Sequence, residues 1–398
     1  MERAVSIRNE LIWRTAAIAG GAAIALAFAR FSYALILPEM QKQLALDYAT
    51  AGLLNTVNAI GYLAGALATG SLAGRFGEKF LFKISFLVTA ISIGATGLSP
   101  DLNLILFFRA LSGVAGASCM ISGAALVIRD AKRIDARFVT KVTGLYFAAP
   151  GAGIAISAFV IPWLVDGFGW QAGWYGLSAI SLVLAVPAFF VIDTFDATAH
   201  DRQASSVALT RKLRRLLLAY GLFGAGYIGY MTFIIAYLRG AGYLSTAFVS
   251  WFWVALGLAA VATAGLWSRY FARTSSGKRV AVPLAMVCLG TILALAVTDH
   301  ATLLLSAIVF GGSFLAVVAG VANALESEVT SQAYSKALGT LTAAFSAGQI
   351  VGPLMTGVVS DRSAGLTHGL WLSAMLLLAG SLIAWSHDWD RQRDGAAW

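Results

Sequence analysis

The sequence predicts an all-α membrane protein, with twelve transmembrane helices forming two six-helix bundles. Three observations carry this. Charged residues make up only 12% of the chain and fall in short clusters between long uncharged runs. A mean hydropathy of +0.78, with 59% hydrophobic residues, excludes an ordinary soluble globule. The longest hydrophilic stretch, Asp193 to Arg215, follows the sixth run and divides the chain into equal halves.

A bilayer core takes about 20 apolar residues in a helix. Helix 1 is expected over Arg14–Pro38, after a basic N-terminus and without a small-residue cleavage site, so it reads as a retained anchor. Helix 2, Tyr48–Gly74, is uncharged throughout. Helix 3, Phe80–Leu98, has a short uncharged part that spans with snorkelling ends. Helix 4, Leu102–Ile128, is broken only by Arg109. Helices 5 and 6, Val139–Val165 and Gln171–Ile192, are separated by Asp166 and glycines. After the linker come Leu213–Leu238, Leu244–Phe271, Val280–Val297, Thr302–Leu325, Ala337–Ser360 and Thr367–Trp385. The expected organisation is a bundle over 1–193, a cytoplasmic linker over 194–212 and a second bundle over 213–398.

The net charge of +9 follows from topology better than from nucleic-acid binding. With the N-terminus inside, 23 of the 28 Lys and Arg fall in inner segments, which predicts a multi-pass protein with both termini cytoplasmic. The halves carry a faint repeat. Gly70–Arg75 at the end of helix 2 resembles Gly265–Arg269 at the end of helix 8, and Pro150 and Pro353 occupy matching places in helices 5 and 11. Cys119 and Cys288 both lie in spans, with no disulfide framework and no metal-type spacing. No catalytic triad, phosphate loop or metal cluster is visible, so neither an enzyme nor a bound cofactor is expected.

The loop after helix 2 reads Gly70-Ser-Leu-Ala-Gly-Arg75-Phe-Gly77-Glu-Lys79. It resembles the signature Gly-x-x-x-Asp-Arg-x-Gly-Arg-Lys/Arg of the major facilitator superfamily. Gly70, Arg75, Gly77 and Lys79 match; Gly74 stands where the family has its aspartate and Glu78 where it has an arginine. Helix 4 carries Arg109-Ala-Leu-Ser112-Gly113, similar to the family's second motif with Ser112 for glutamine. Helix 11 carries Gly348-x-x-x-Gly352-Pro353, a pattern that marks helix 5 of drug–proton antiporters, whereas helix 5 here offers only Ala149-Pro150 with Gly153. Arg30-Phe-Ser-Tyr33 with Leu35–Met40, and Ala51–Tyr62, look like the bacterial YbfB/YjiJ branch. The resemblance implies a secondary transporter of the bacterial inner membrane working by alternating access, as a monomer. In it the residues Gly70, Arg75, Gly77, Lys79, Gly113, Pro150, Gly352 and Pro353 serve conformational change. The loss of the family aspartate at Gly74 implies a weakened outward-open latch, with Glu78 as a displaced acid.

Function is then read from polar groups inside the spans. An arginine at membrane depth costs several kcal/mol unless it meets water, a protein partner or a ligand. Arg30 and Arg109 are such residues, eight positions from Pro38 and Asp101 respectively. In the family, helices 1 and 4 line the central cavity, so both guanidiniums are expected there. No Asp or Glu lies in the middle of any span, and a permanently charged planar fork suits carboxylate, phosphate or sulfonate. The leading expectation is therefore transport of a small organic anion, with Tyr33, Asn55, Asn58, Tyr146, Asn323 and Gln349 as polar neighbours. Tyr220, Tyr227 and Tyr230 on helix 7 form a stripe suited to walling a cavity or to packing. A coupling proton would ride on the substrate, a tyrosine or an end carboxylate, since arginine does not release one. Export of a neutral or amphipathic metabolite or drug is the alternative, and a non-transporting receptor or scaffold is the alternative from another class. In the bland reading of the same residues, Arg30 snorkels outwards, Arg109 caps carbonyls of a neighbouring helix, and each amide makes an interhelical hydrogen bond.

Overall fold

In the computed structural model, the described residues are 2–134, 138–193, 211–240, 244–297, 299–363 and 365–386, with the backbone alone described at 2–8, 211, 212, 331, 332 and 335. They are helical almost throughout. In hydrocarbon, only structures that satisfy their own backbone groups can span. The helices are α1 Glu2–Ala22, α2 Tyr33–Leu44, α3 Tyr48–Phe76, α4 Glu78–Ala95, α5 Leu102–Ile134, α6 Val139–Phe168 and α7 Trp170–Ile192. The second half contributes α8 Arg211–Gly240, α9 Thr246–Arg273, α10 Ser276–Ala296, α11 His300–Glu326, α12 Ser331–Arg362 and α13 Leu366–Ser386. The linker expected over 194–212 lies almost wholly outside the described residues, as do 387–398.

The first span departs from a plain α-helix. Between α1 and α2 runs a π-helical segment, Ala23–Phe31, so that α1, the π segment and α2 form one transmembrane rod. It continues through Pro38 to Leu44, beyond the end the sequence suggested. Counting that rod once gives twelve transmembrane elements among the described residues, of which eleven are long and apolar enough to span outright. The twelfth is α4, eighteen residues whose first turns carry Glu78, Lys79 and Lys83. Its charges sit at one end, where Glu78 pairs with Arg129 and Lys79 and Lys83 bond to Asp193.

Helix ends follow local chemistry. Gly77 (φ 84°) and Gly169 (φ 87°) make the sharp α3–α4 and α6–α7 turns in a backbone region that L side chains avoid. Asp299 caps α11 by accepting the Thr302 N–H at 3.0 Å, and Ser245 caps α9 by accepting the Phe248 N–H at 3.2 Å.

By packing, the chain divides into two compact units, Met1–Ala45 with Val57–Asp201, and Leu46–Thr56 with Arg202–Trp398. The start of α3 thus belongs with the second unit, whereas the sequence suggested a clean boundary after helix 6. Glycine explains how it fits there: a Cβ on Gly52 would strike the Pro353 carbonyl of α12, and one on Gly357 would strike the Tyr48 carbonyl. Asp361 of α12 then accepts the Tyr48 and Ala49 N–H groups at 2.8 Å each, satisfying orphan donors of the first turn of α3. In the first unit α4 packs on α5 and α7, and α1 on α6 and α7; in the second α8 packs on α12 and α13, and α11 on α9 and α10. Large apolar side chains such as Phe159, Trp163, Val183, Phe190 and Leu382 face outward, as lipid solvation allows.

Candidate substrate site

Both span-interior arginines belong to the first unit and converge on the π segment. Arg30 occupies its last turn and is 3% exposed, with its guanidinium carbon 5.2 Å from the centroid of the Tyr62 ring on α3. Arg109 comes from α5 and is 1% exposed. Its Nη1 donates to the carbonyl of Ala29, the residue beside Arg30. Its guanidinium carbon stands 4.9 Å from the Tyr33 ring and 5.4 Å from the Trp174 ring, and those two rings stack at 6.2 Å. Tyr33 is the first residue of α2, and Trp174 lies on the inward stripe of α7 with Trp170, Leu177 and Ser181. Each desolvated cation–π contact contributes about 1–2 kcal/mol, which helps offset the burial of the charge.

The polar neighbours are drawn into the scaffold. Asn58 donates to the Arg109 carbonyl and to Ser112 Oγ, both at 3.1 Å, fastening α3 to α5. Gly113 permits that approach, since a Cβ there would strike the Asn58 carbonyl. Tyr146 donates its hydroxyl to the Met120 carbonyl at 2.8 Å, and Tyr62 reaches Met120 Sδ at 3.0 Å. Tyr62 therefore bridges Arg30 and α5.

The remaining candidates lie in the second unit. Asn55 donates to Thr232 Oγ1 of α8 at 2.7 Å, and Gln349 of α12 donates to the Tyr227 hydroxyl. Tyr227 belongs to a file of near-parallel rings. Tyr220 and Phe345 stack at 4.5 Å, Phe223 and Tyr227 at 4.7 Å, Tyr227 and Phe314 at 6.1 Å, and Tyr230 and Phe310 at 4.3 Å. Asn323 stands apart from this group. It lies nine residues along α11 from Phe314, about 13 Å, and its carbonyl accepts from Arg279 at 3.0 Å, so it fastens the basic end of α10.

The motif residues have mechanical surroundings. Arg75 and Lys79 sit at the α3–α4 turn, where Lys79 donates to the Asp193 carbonyl at 3.0 Å. Glu78 pairs with Arg129 at 2.7 Å. Gly348 and Gly352 let α12 lie flush on α8, where a Cβ would meet the Gly221 and Ala225 carbonyls. Pro150 is buried within α6 and Pro353 lies within α12.

A family profile described as "Uncharacterised MFS-type transporter YbfB" matches residues 22–385. The chain belongs to this family of the major facilitator superfamily. Its eleven described helices that are long and apolar enough to cross a membrane fit the multi-pass proteins of that YbfB-type family. It is 27% identical over 165 residues to the 4-hydroxybenzoate transporter PcaK of Acinetobacter baylyi, across 40% of this chain and 35% of that protein. It is 26% identical over 160 residues to the niacin transporter NiaP of the same organism, across 40% of this chain and 34% of that one. The matched stretch thus spans about a third of these relatives. Its fold matches that of a bacterial homolog of the human lysosomal transporter Spinster with a TM-score of 0.76 and 13% identity, covering 97% of this chain and 98% of that one.

Trp174 and Phe345 escaped the sequence reading, and Tyr62 entered it only as the end of the Ala51–Tyr62 stretch. Aromatic residues are common in apolar spans, and nothing local separates a ring beside an arginine from a ring in lipid. The stripe of Tyr220, Tyr227 and Tyr230 was the one available signal, and it pointed to one face of α8 without naming the Phe223, Phe345, Phe314 and Phe310 rings stacked along it.

Proposed function

We propose that this YbfB-type transporter moves a small aromatic carboxylate across the bacterial inner membrane by alternating access, with its termini and linker in the cytoplasm. The observation that carries the reading is the pair of buried arginines around the π segment. Helix 1 has no acidic residue between Glu10 and Glu39, and α5 has none between Asp101 and Asp130. Positive charge held at depth without an acid at the same level favours an anionic substrate over a cationic one. Arg30 is the group that meets the carboxylate, through its planar fork. The relatives named for 4-hydroxybenzoate and niacin, both aromatic monoacids, support the substrate class.

The direction of transport depends on coupling. An inside-negative potential opposes entry of a monoanion by about 2.3 kcal/mol per 100 mV. Uptake therefore needs a co-transported proton or an exchanged anion, whereas export does not. Flux of labelled benzoate and nicotinate into proteoliposomes, under imposed pH gradients and potentials, tests the proposal. Saturable flux that is lost in folded Arg30→Ala protein is expected. Equal flux of benzamide, the neutral analogue, together with full activity of Arg30→Ala, would overturn it in favour of a carrier for neutral compounds.

A further inference from the structure

The π segment Ala23–Phe31 is nine residues long. π turns are rare and mostly occur as single-turn bulges at functional sites. This one contains neither Gly nor Pro that would impose it. Its wide register is seen at its end, where the Ser32 N–H donates to the Ala27 carbonyl at 2.7 Å, five residues back. Relative to a continuous α-helix, accommodating one residue in a wider turn rotates the downstream part of the rod by about 100°. The register of residues 23–31 therefore sets the side of the rod from which Arg30 projects.

Neighbouring helices leave room for the wide turn. Gly153 of α6 lies against Ala23 and Ala27, and Gly116 of α5 against Ala25. These contacts accommodate the register without selecting it. A polar contact from outside does engage the junction, and it comes from Arg109. A change of register disturbs the backbone ladder where π meets α, and Arg109 Nη1 donates to the Ala29 carbonyl there. The rings of Tyr33 and Trp174 hold the guanidinium in place at 4.9 and 5.4 Å.

We propose that Arg109 is a positioning residue, which pins the π register of helix 1 and thereby fixes the direction in which Arg30 presents its guanidinium. It does not itself touch the transported anion. This rests on the reading of Arg30 as the anion-binding group, so the test has one arm that needs no substrate.

The substrate-free arm measures amide hydrogen exchange in peptides covering residues 23–32 of the full-length protein. Arg109→Met should accelerate exchange there, with the remaining helices unchanged. Arg109→Lys keeps a donor for Ala29 and should restore part of the protection. The second arm measures benzoate affinity in a double-mutant cycle with Arg30→Lys, which retains charge and leaves affinity measurable. Arg109→Met alone should weaken benzoate by about tenfold, the scale of one good charge-assisted contact. In the Arg30→Lys background it should add little, because both changes disable the same contact. Unchanged exchange in folded Arg109→Met protein would overturn the pin. Losses that multiply across the cycle would show Arg109 binding the anion on its own and would also overturn it. Absence of benzoate binding by the wild-type protein would count against the proposed function alone, leaving the exchange arm to decide the role of Arg109. Should Arg109→Met fail to fold, exchange in Arg109→Lys decides: protection equal to wild type across 23–32, with benzoate affinity reduced about tenfold, would refute the pin.

Discussion

Glu78 accepts a hydrogen bond from Arg129 Nη2 at 2.7 Å, tying the first turn of α4 to the C-terminal end of α5. Both side chains are largely shielded from solvent, at 14% and 22% exposure. Glu78 stands next to Gly77 in the loop where the family has its signature, and its carboxylate serves an arginine of the same unit.

Glu78→Gln keeps the shape and removes the charge. It should cost roughly 1–3 kcal/mol, the range for a hydrogen bond to a charged group whose partner stays half-buried. The melting temperature in detergent, against wild type, checks this. Gly74→Asp is the companion. A Cβ at Gly74 meets nothing within 4 Å, so an added side chain is sterically free and folding should survive. If the missing family aspartate weakens the outward-open state, Gly74→Asp should raise labelling of single cysteines at outer-mouth positions and lower it at inner-mouth positions. Unaltered labelling at both would mean that Glu78 already supplies the acid or that the latch idea is wrong for this protein.

Gly352→Ala should destabilise the second unit. Its Cβ would meet the Ala225 carbonyl, a rigid backbone atom rather than a movable side-chain tip. Forcing α8 and α12 apart is overpacking, for which about 1–3 kcal/mol is typical. Gly144, on α6, has nothing within 4 Å of its added Cβ, so Gly144→Ala is the matched control and should be neutral or slightly stabilising. Equal melting temperatures for the two variants would defeat the argument.

Asp47, in the turn between α2 and α3, accepts the Thr50 N–H at 2.7 Å. Hydrogen bonds from Thr50, through its side chain and backbone, hold the carboxyl below its ordinary value. A group whose folded pKa is depressed contributes stability that is present above its unfolded pKa and lost as pH falls through the folded one. The window therefore lies below about pH 4. Asp47→Asn should flatten the acid limb of a melting-temperature profile and change little at neutral pH. An unaltered acid limb would show that the cap carries no weight.

The number of spans and their order were legible from charge spacing alone, because the bilayer fixes helix length and leaves few places for charge. Arg30 and Arg109 were legible for the same reason: a charge at depth is too costly to be incidental. What tertiary structure decided is what each of them touches. Arg109 meets Ala29, Tyr33 and Trp174, and these lie 76 to 80 positions before it or 65 after it along the chain. No local pattern encodes such distances, and the π register that brings Ala29 to Arg109 has no Gly or Pro to announce it. The placement of residues 46–56 with the second unit was equally hidden. It depends on Gly52 and Gly357 admitting carbonyls from partners some 300 residues away, and a glycine in a sequence does not say which backbone will approach it.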